Sequence, residues 1–219
     1  MSKRDSLGRG ETGRFAAQPP RPGEELRLAA FVALMALAIA ASEGLGWPAS
    51  GPWVNAKLVF GLVVPLLLGL GLTQRRRWLG LGLGSWRRGL GALATGVPLA
   101  LLAMLVLLNA DEVQSHYAPH RAPPAELLVQ YLPGILQSEV CFRGALLFGL
   151  LPRLGAPLAV AVAALPYALV HLDKPMAEAL GSVPVGLGLG ALAVWSGSLW
   201  CGAAIHLTGA VFLTLLAGS

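Results

Sequence analysis

Ser138-Glu139-Val140-Cys141-Phe142-Arg143-Gly144 places a carboxylate and a guanidinium four residues apart inside an apolar stretch. On a helix that spacing projects both side chains from one face. Ionised groups in hydrocarbon are costly, so they face a bundle interior or a wet cavity and mark functional sites. His171 and His206 also lie in apolar stretches. One carboxylate, one arginine and two histidines must therefore be accommodated within apolar helices.

The chain is 55% hydrophobic and 12% charged over 219 residues. Soluble domains carry about 25% charged residues, so the composition predicts an all-α polytopic transmembrane helix bundle. The net charge of +5 does not indicate nucleic acid, because the basic residues stand beside apolar spans, as membrane topology requires. The expected partner on these grounds is the lipid bilayer, with no nucleic acid. Cys141 and Cys201 both lie in apolar spans and read as small buried hydrophobes.

About seven spans are expected, near 26–41, 54–73, 91–109, 133–151, 156–172, 176–194 and 199–216. Residues 1–25 read as a disordered polar cytoplasmic tail, 26–124 as N-terminal transmembrane helices and 125–219 as the transmembrane core that carries Glu139, Arg143, His171 and His206. Ala38-Ile39-Ala40 mimics a signal-peptidase site, but the long charged region before it favours an uncleaved anchor. A short loop holds Trp47 and Trp53, and Arg75-Arg76-Arg77-Trp78 opens a basic interfacial segment reaching Arg88. Asp111 to Pro124 reads as a polar loop with His116 and His120. Pro133 is expected to start the fourth helix, which puts Glu139 six residues, roughly 9 Å, below its outer end. Gly181, Gly186, Gly188 and Gly190 offer the sixth helix a surface for close approach. Counting basic residues places the N-terminus inside and the C-terminus outside, in a multi-pass membrane protein.

The candidate site residues are Glu139, Arg143, His171 and His206. Glu139 can act as general base on water, with His171 holding the water and Arg143 opposing the effect of apolar surroundings. His206 can donate to the oxyanion of amide hydrolysis. One Glu and two His can instead bind zinc, although no His-Glu-x-x-His pair supports it, so no cofactor is favoured. Plainer readings stand beside these: a structural Glu–Arg pair, an interfacial His171 and an interhelical hydrogen bond from His206.

Glu139-x-x-x-Arg143-Gly144 with Phe142, Tyr167-x-x-x-His171, and a Ser-Leu-Trp turn leading to His206 together resemble the CPBP family of intramembrane proteases. That family includes the type II CAAX-prenyl endopeptidases and bacteriocin-processing or immunity proteins. The resemblance covers roughly residues 125–216 and implies that Glu139 and His171 activate water, His206 helps form the oxyanion hole and Arg143 orients the motif. It also implies either a glutamate-based or a zinc mechanism, of which the former is favoured. Two positions depart from the family pattern: Ser138 stands where many members have a first glutamate, and Ala210 where many have asparagine. His171-Leu-Asp-Lys174-Pro175 resembles the myxosortase-like branch, which processes C-terminal membrane anchors. The expected function is an intramembrane endopeptidase. The alternatives are an inactive relative serving as an immunity or scaffold protein, and a proton-relaying transporter component.

Overall fold

The structure, a computed structural model, describes residues 23–44, 59–73 and 79–218. The expected tail up to residue 22, the loop holding Trp47 and Trp53, and the Arg75–Trp78 run lie outside the described residues. The described residues build helices and no strand. Helix α1 spans Glu24–Gly44, and α2 spans Val64–Thr73 after a π-helical turn at Val59–Val63. Next come α3 (Trp86–Leu107), the short α4 (Asp111–Tyr117) and α5 (Pro124–Glu139). A π-helical segment, Val140–Leu147, joins α5 to α6 (Phe148–Leu169), and α7 (Met176–Ser196) and α8 (Trp200–Leu216) follow.

By length and composition, α3, the continuous 46-residue run Pro124–Leu169 and α7 are long and apolar enough to cross a membrane, while α8 is a shorter apolar helix. The 46-residue run makes two passes. Gly155 reverses the chain at φ 72° and ψ 167°, a conformation that glycine adopts without steric cost. Beyond it α6 turns back, so that Ala159, Ala163 and Tyr167 pack on Cys141, Phe142 and Ala145. The all-α membrane bundle expected from composition is the fold found.

Small residues let the helices approach. Along the parallel pair α3 and α8, Gly89 faces Cys201, Gly96 faces Ile205 and Gly209 faces Met104. Between α6 and α7, Gly186 lies against Tyr167 and Gly190 against Val160, whereas Gly188 faces open space. Without a hydrophobic drive between helices in lipid, such close contact supplies the packing energy.

The two ends of the bundle are closed differently. At one end, Leu199 N donates to the Gly80 carbonyl at 2.9 Å and Ser85 N to the Ser196 carbonyl at 2.9 Å. Trp200 Nε1 also donates to the Leu81 carbonyl at 2.8 Å. At the other end, α4 lies against the start of α7 and the end of α8. Glu112 Oε1 accepts from Ala177 N at 2.8 Å, and Gln114 Oε1 accepts from Gly218 N at 2.8 Å. Residues 79–88, Arg153 and the 196–199 turn thus share one end. The 110–124 segment, the 170–175 turn and the C-terminus share the other.

Three expectations need correction. Pro133 does not open a helix: it lies inside α5, and Pro124 takes the first turn instead. Both prolines suit a first turn, and helices of membrane proteins absorb an internal proline, as Pro98, Pro166 and Pro184 also show. The 16 residues of α5 run roughly 24 Å at 1.5 Å per residue, so Glu139 sits far deeper along its helix than 9 Å. Asp111–Pro124 is not simply a loop. Asp111 and Glu112 favour a helix N-terminus, and Val113 and Tyr117, at i and i+4, bury one face of α4. His171 lies in the turn after α6 rather than within a helix.

Candidate active site

Glu139 closes α5 and Arg143 sits within the π-helical segment, every residue of which is buried. A π-helical insertion widens the turn locally and recurs at functional sites. Here it falls on the motif that carries the two charges. Glu139 is 0% exposed and Arg143 2%. Arg143 Nη1 lies 3.2 Å from Glu139 Oε1, and the guanidinium carbon stands 4.1 Å from the centroid of the Tyr167 ring. An ion pair and a cation–π contact thus share the load of keeping this charge out of water.

α8 supplies the third group. His206 Nδ1 is 3.0 Å from the same Oε1, across 67 residues of sequence. A carboxylate only accepts, so Nδ1 carries the proton and Nε2 is the nitrogen left for a substrate. His206 is 19% exposed, so the site is reached from its side. The other carboxylate oxygen, Oε2, is buried with no hydrogen-bond partner, as are Arg143 Nη1 and Nη2. Nη1 meets Glu139 Oε1 as an ion pair, and the guanidinium rests over the Tyr167 ring.

His171 joins this trio through Tyr167. Its Nδ1 lies 2.7 Å from the Tyr167 carbonyl, which can only accept, so Nδ1 again bears the proton and Nε2 presents its lone pair. The Tyr167 ring centroid is 4.5 Å from that of His171, 5.9 Å from that of His206 and 5.7 Å from that of Phe142. Tyr167 is therefore the hub of the site, although along the sequence it stands out only as part of a motif. Its position four residues before His171, on the same helix face, is the signal that points to it. Gly202, four residues before His206, is a second such position: a Cβ there would stand 3.0 Å from Glu139 Oε2.

Among the described residues, no group of three His, Cys, Asp or Glu side chains stands as a ready-made metal site. His116 and His120 lie apart from the site at α4, with ring centroids 6.2 Å from one another. Cys141 and Cys201 are both buried, and Cys201 Sγ lies 3.7 Å from the Gly89 carbonyl oxygen.

Residues 121–212 match the family model described as type II CAAX prenyl endopeptidase, Rce1-like. No curated protein and no solved structure matches the chain.

Proposed function

We propose that this chain is an intramembrane endopeptidase, a reading supported by the match of residues 121–212 to the Rce1-like type II CAAX prenyl endopeptidase family model. Its substrate is a membrane-anchored protein, cut near the anchor, in the bacterial cytoplasmic membrane. The observation that carries this reading is the state of Glu139. One oxygen is held by His206 and Arg143, while the other is enclosed and unpaired.

The reaction needs no metal in this scheme. A water donates one O–H to Glu139 Oε2 and the other to the lone pair on His171 Nε2. Its oxygen attacks the scissile carbonyl carbon while Oε2 takes the proton, and the carbonyl oxygen becomes an oxyanion. His206 as imidazolium keeps its Nδ1–H on Glu139 and offers Nε2–H to that oxyanion. Collapse breaks the C–N bond, and the proton on Oε2 passes to the leaving amine. The products are a new carboxyl group and an amine. Arg143 holds Oε1 throughout, and Tyr167 positions both Arg143 and His171.

The test is the mass of anchored exported proteins in host cells that carry wild type, Glu139→Ala, His171→Ala or His206→Ala at matched membrane levels. Accumulation of uncleaved anchors in all three variants is the expected result. Unchanged processing in all three sinks the peptidase reading in favour of an immunity or scaffold role. Substrates whose masses report C-terminal cleavage would support the sorting-type branch.

A further inference from the structure

Up to Glu139, a narrow stripe of side chains holds α5. Leu127 and Glu139 are 0% exposed and Ile135 6%, and Tyr131 is the half-buried member between them, all at steps of four. The other residues of 124–134 are exposed. Residues four apart form one ridge along a helix. This ridge meets the ridge of His206, Ala210 and Thr214 on α8 through two polar contacts. Glu139 Oε1 lies 3.0 Å from His206 Nδ1, and the Tyr131 hydroxyl lies 2.8 Å from Thr214 Oγ1. From the first contact to the second, α5 steps back eight residues and α8 forward eight, so both belong to one antiparallel register.

The direction of the second bond is fixed. Thr214 gives its one proton to the Ala210 carbonyl at 3.0 Å, so Tyr131 donates and Thr214, wholly buried, accepts. The other members of the stripe, Leu127 and Ile135, are apolar, and apolar contact is non-directional. A hydrogen bond instead weakens steeply away from its proper distance and angle. A slip of one residue moves a helix by about 1.5 Å, and a misplacement of about 1 Å can cost about 10²-fold in rate. Burial of Leu127 and Ile135 holds α5 on α8, but only a directional contact resists a slip of that size.

We propose that Tyr131 and Thr214 are positioning residues: their hydrogen bond fixes the rotation and slide of α5 on α8 that bring Glu139 to His206. They act through Glu139 rather than on the substrate. This inference rests on the peptidase reading.

The experiment compares purified wild type, Tyr131→Phe, Thr214→Val, their double variant, Thr214→Ser, Tyr117→Phe and Glu139→Gln in lipid nanodiscs. The substrate is an anchored peptide identified as cleaved by the wild type. Tyr117→Phe is the matched control, since it removes a tyrosine hydrogen bond between two other helices. Tyr131→Phe and Thr214→Val are each expected to lower kcat roughly fivefold or more, with KM within about twofold. The double variant should be no worse than either single one, because both remove the same bond. Thr214→Ser keeps the hydroxyl and should keep wild-type kcat, as should Tyr117→Phe. Wild-type kcat in folded Tyr131→Phe and Thr214→Val, with Glu139→Gln inactive, overturns the positioning role and leaves the peptidase reading intact. An equal loss in Tyr117→Phe also overturns it, since that marks a general loss of stability. An active Glu139→Gln ends both readings. If Thr214→Val does not fold, Thr214→Cys decides, because a thiol nearly keeps the volume and accepts only weakly. A lowered kcat at unchanged KM then supports the rung, and a wild-type kcat refutes it.

Discussion

Glu139 and Glu178 are both helix-borne carboxylates that meet a distant segment of the chain, and they are satisfied in opposite ways. Glu178 lies in the first turn of α7, where the helix dipole favours an acid. Both of its oxygens receive the Tyr117 hydroxyl, at 2.8 and 2.7 Å. Glu139 lies at the far end of α5, wholly buried, with two partners crowded onto one oxygen and none on the other. The first arrangement locks α4 onto α7 and leaves no oxygen unused. The second holds the carboxylate in place by one oxygen and keeps the other for chemistry.

The sharpest way to break this comparison is to neutralise each glutamate in turn. Glu139→Gln should lower cleavage by about 10²- to 10⁴-fold, the usual contribution of a general base, with the fold retained. Glu178→Gln should leave the turnover of folded protein near that of wild type. Equal losses of turnover in the two variants, assayed on folded protein, would remove the distinction.

A second test acts on stability. Arg143→Met strands the Glu139 charge in the interior and should destabilise by about 3–5 kcal/mol in detergent unfolding. Adding Glu139→Gln should recover part of that loss. Arg143→Lys should not restore wild-type stability, because a point charge cannot reproduce the planar guanidinium lying 4.1 Å over Tyr167.

The smaller effects belong to the α4 clamp. Tyr117→Phe removes the hydrogen bond to Glu178 and should cost about 1.5 kcal/mol, with cleavage unaltered. Burial first, and the Glu178 charge second, push the Tyr117 hydroxyl well above its ordinary value near 10. A folded-state pKa raised in this way adds stability that is fully present below about pH 10 and is lost as pH rises beyond it. Melting curves from about pH 8 to 11 should therefore show a steeper alkaline decline in wild type than in Tyr117→Phe. Parallel curves would mean that the hydroxyl titrates no differently in the folded protein.

Much of the site was legible because two of its relations are local. Glu139 and Arg143 at i and i+4 share a helix face, and their 3.2 Å contact follows from that spacing. Tyr167 and His171 are also four residues apart, across the end of α6, and the carbonyl of one fixes the proton of the other. The π-helical stretch at Val140–Leu147 was not legible. Its residues are wholly buried, and whether such a run bonds i→i+4 or i→i+5 depends on the helices packed around it. Pro133 misled for a related reason: a proline marks either a first turn or a tolerated interior position, and the surroundings choose between them.

Composition and apolar runs determined by themselves that this chain is a membrane helix bundle, because backbone groups in hydrocarbon must be satisfied within each segment. The same local rules determined that charges inside those runs would be paired and turned inward. Which oxygen of Glu139 is held, that His206 rather than His171 holds it, and that Gly202 lies against the other oxygen were decided only by tertiary structure. Those relations depend on how far each helix is rotated about its axis and slid along it. That depends on side-chain packing between α5, α6, α7 and α8, which no periodicity within a single helix encodes.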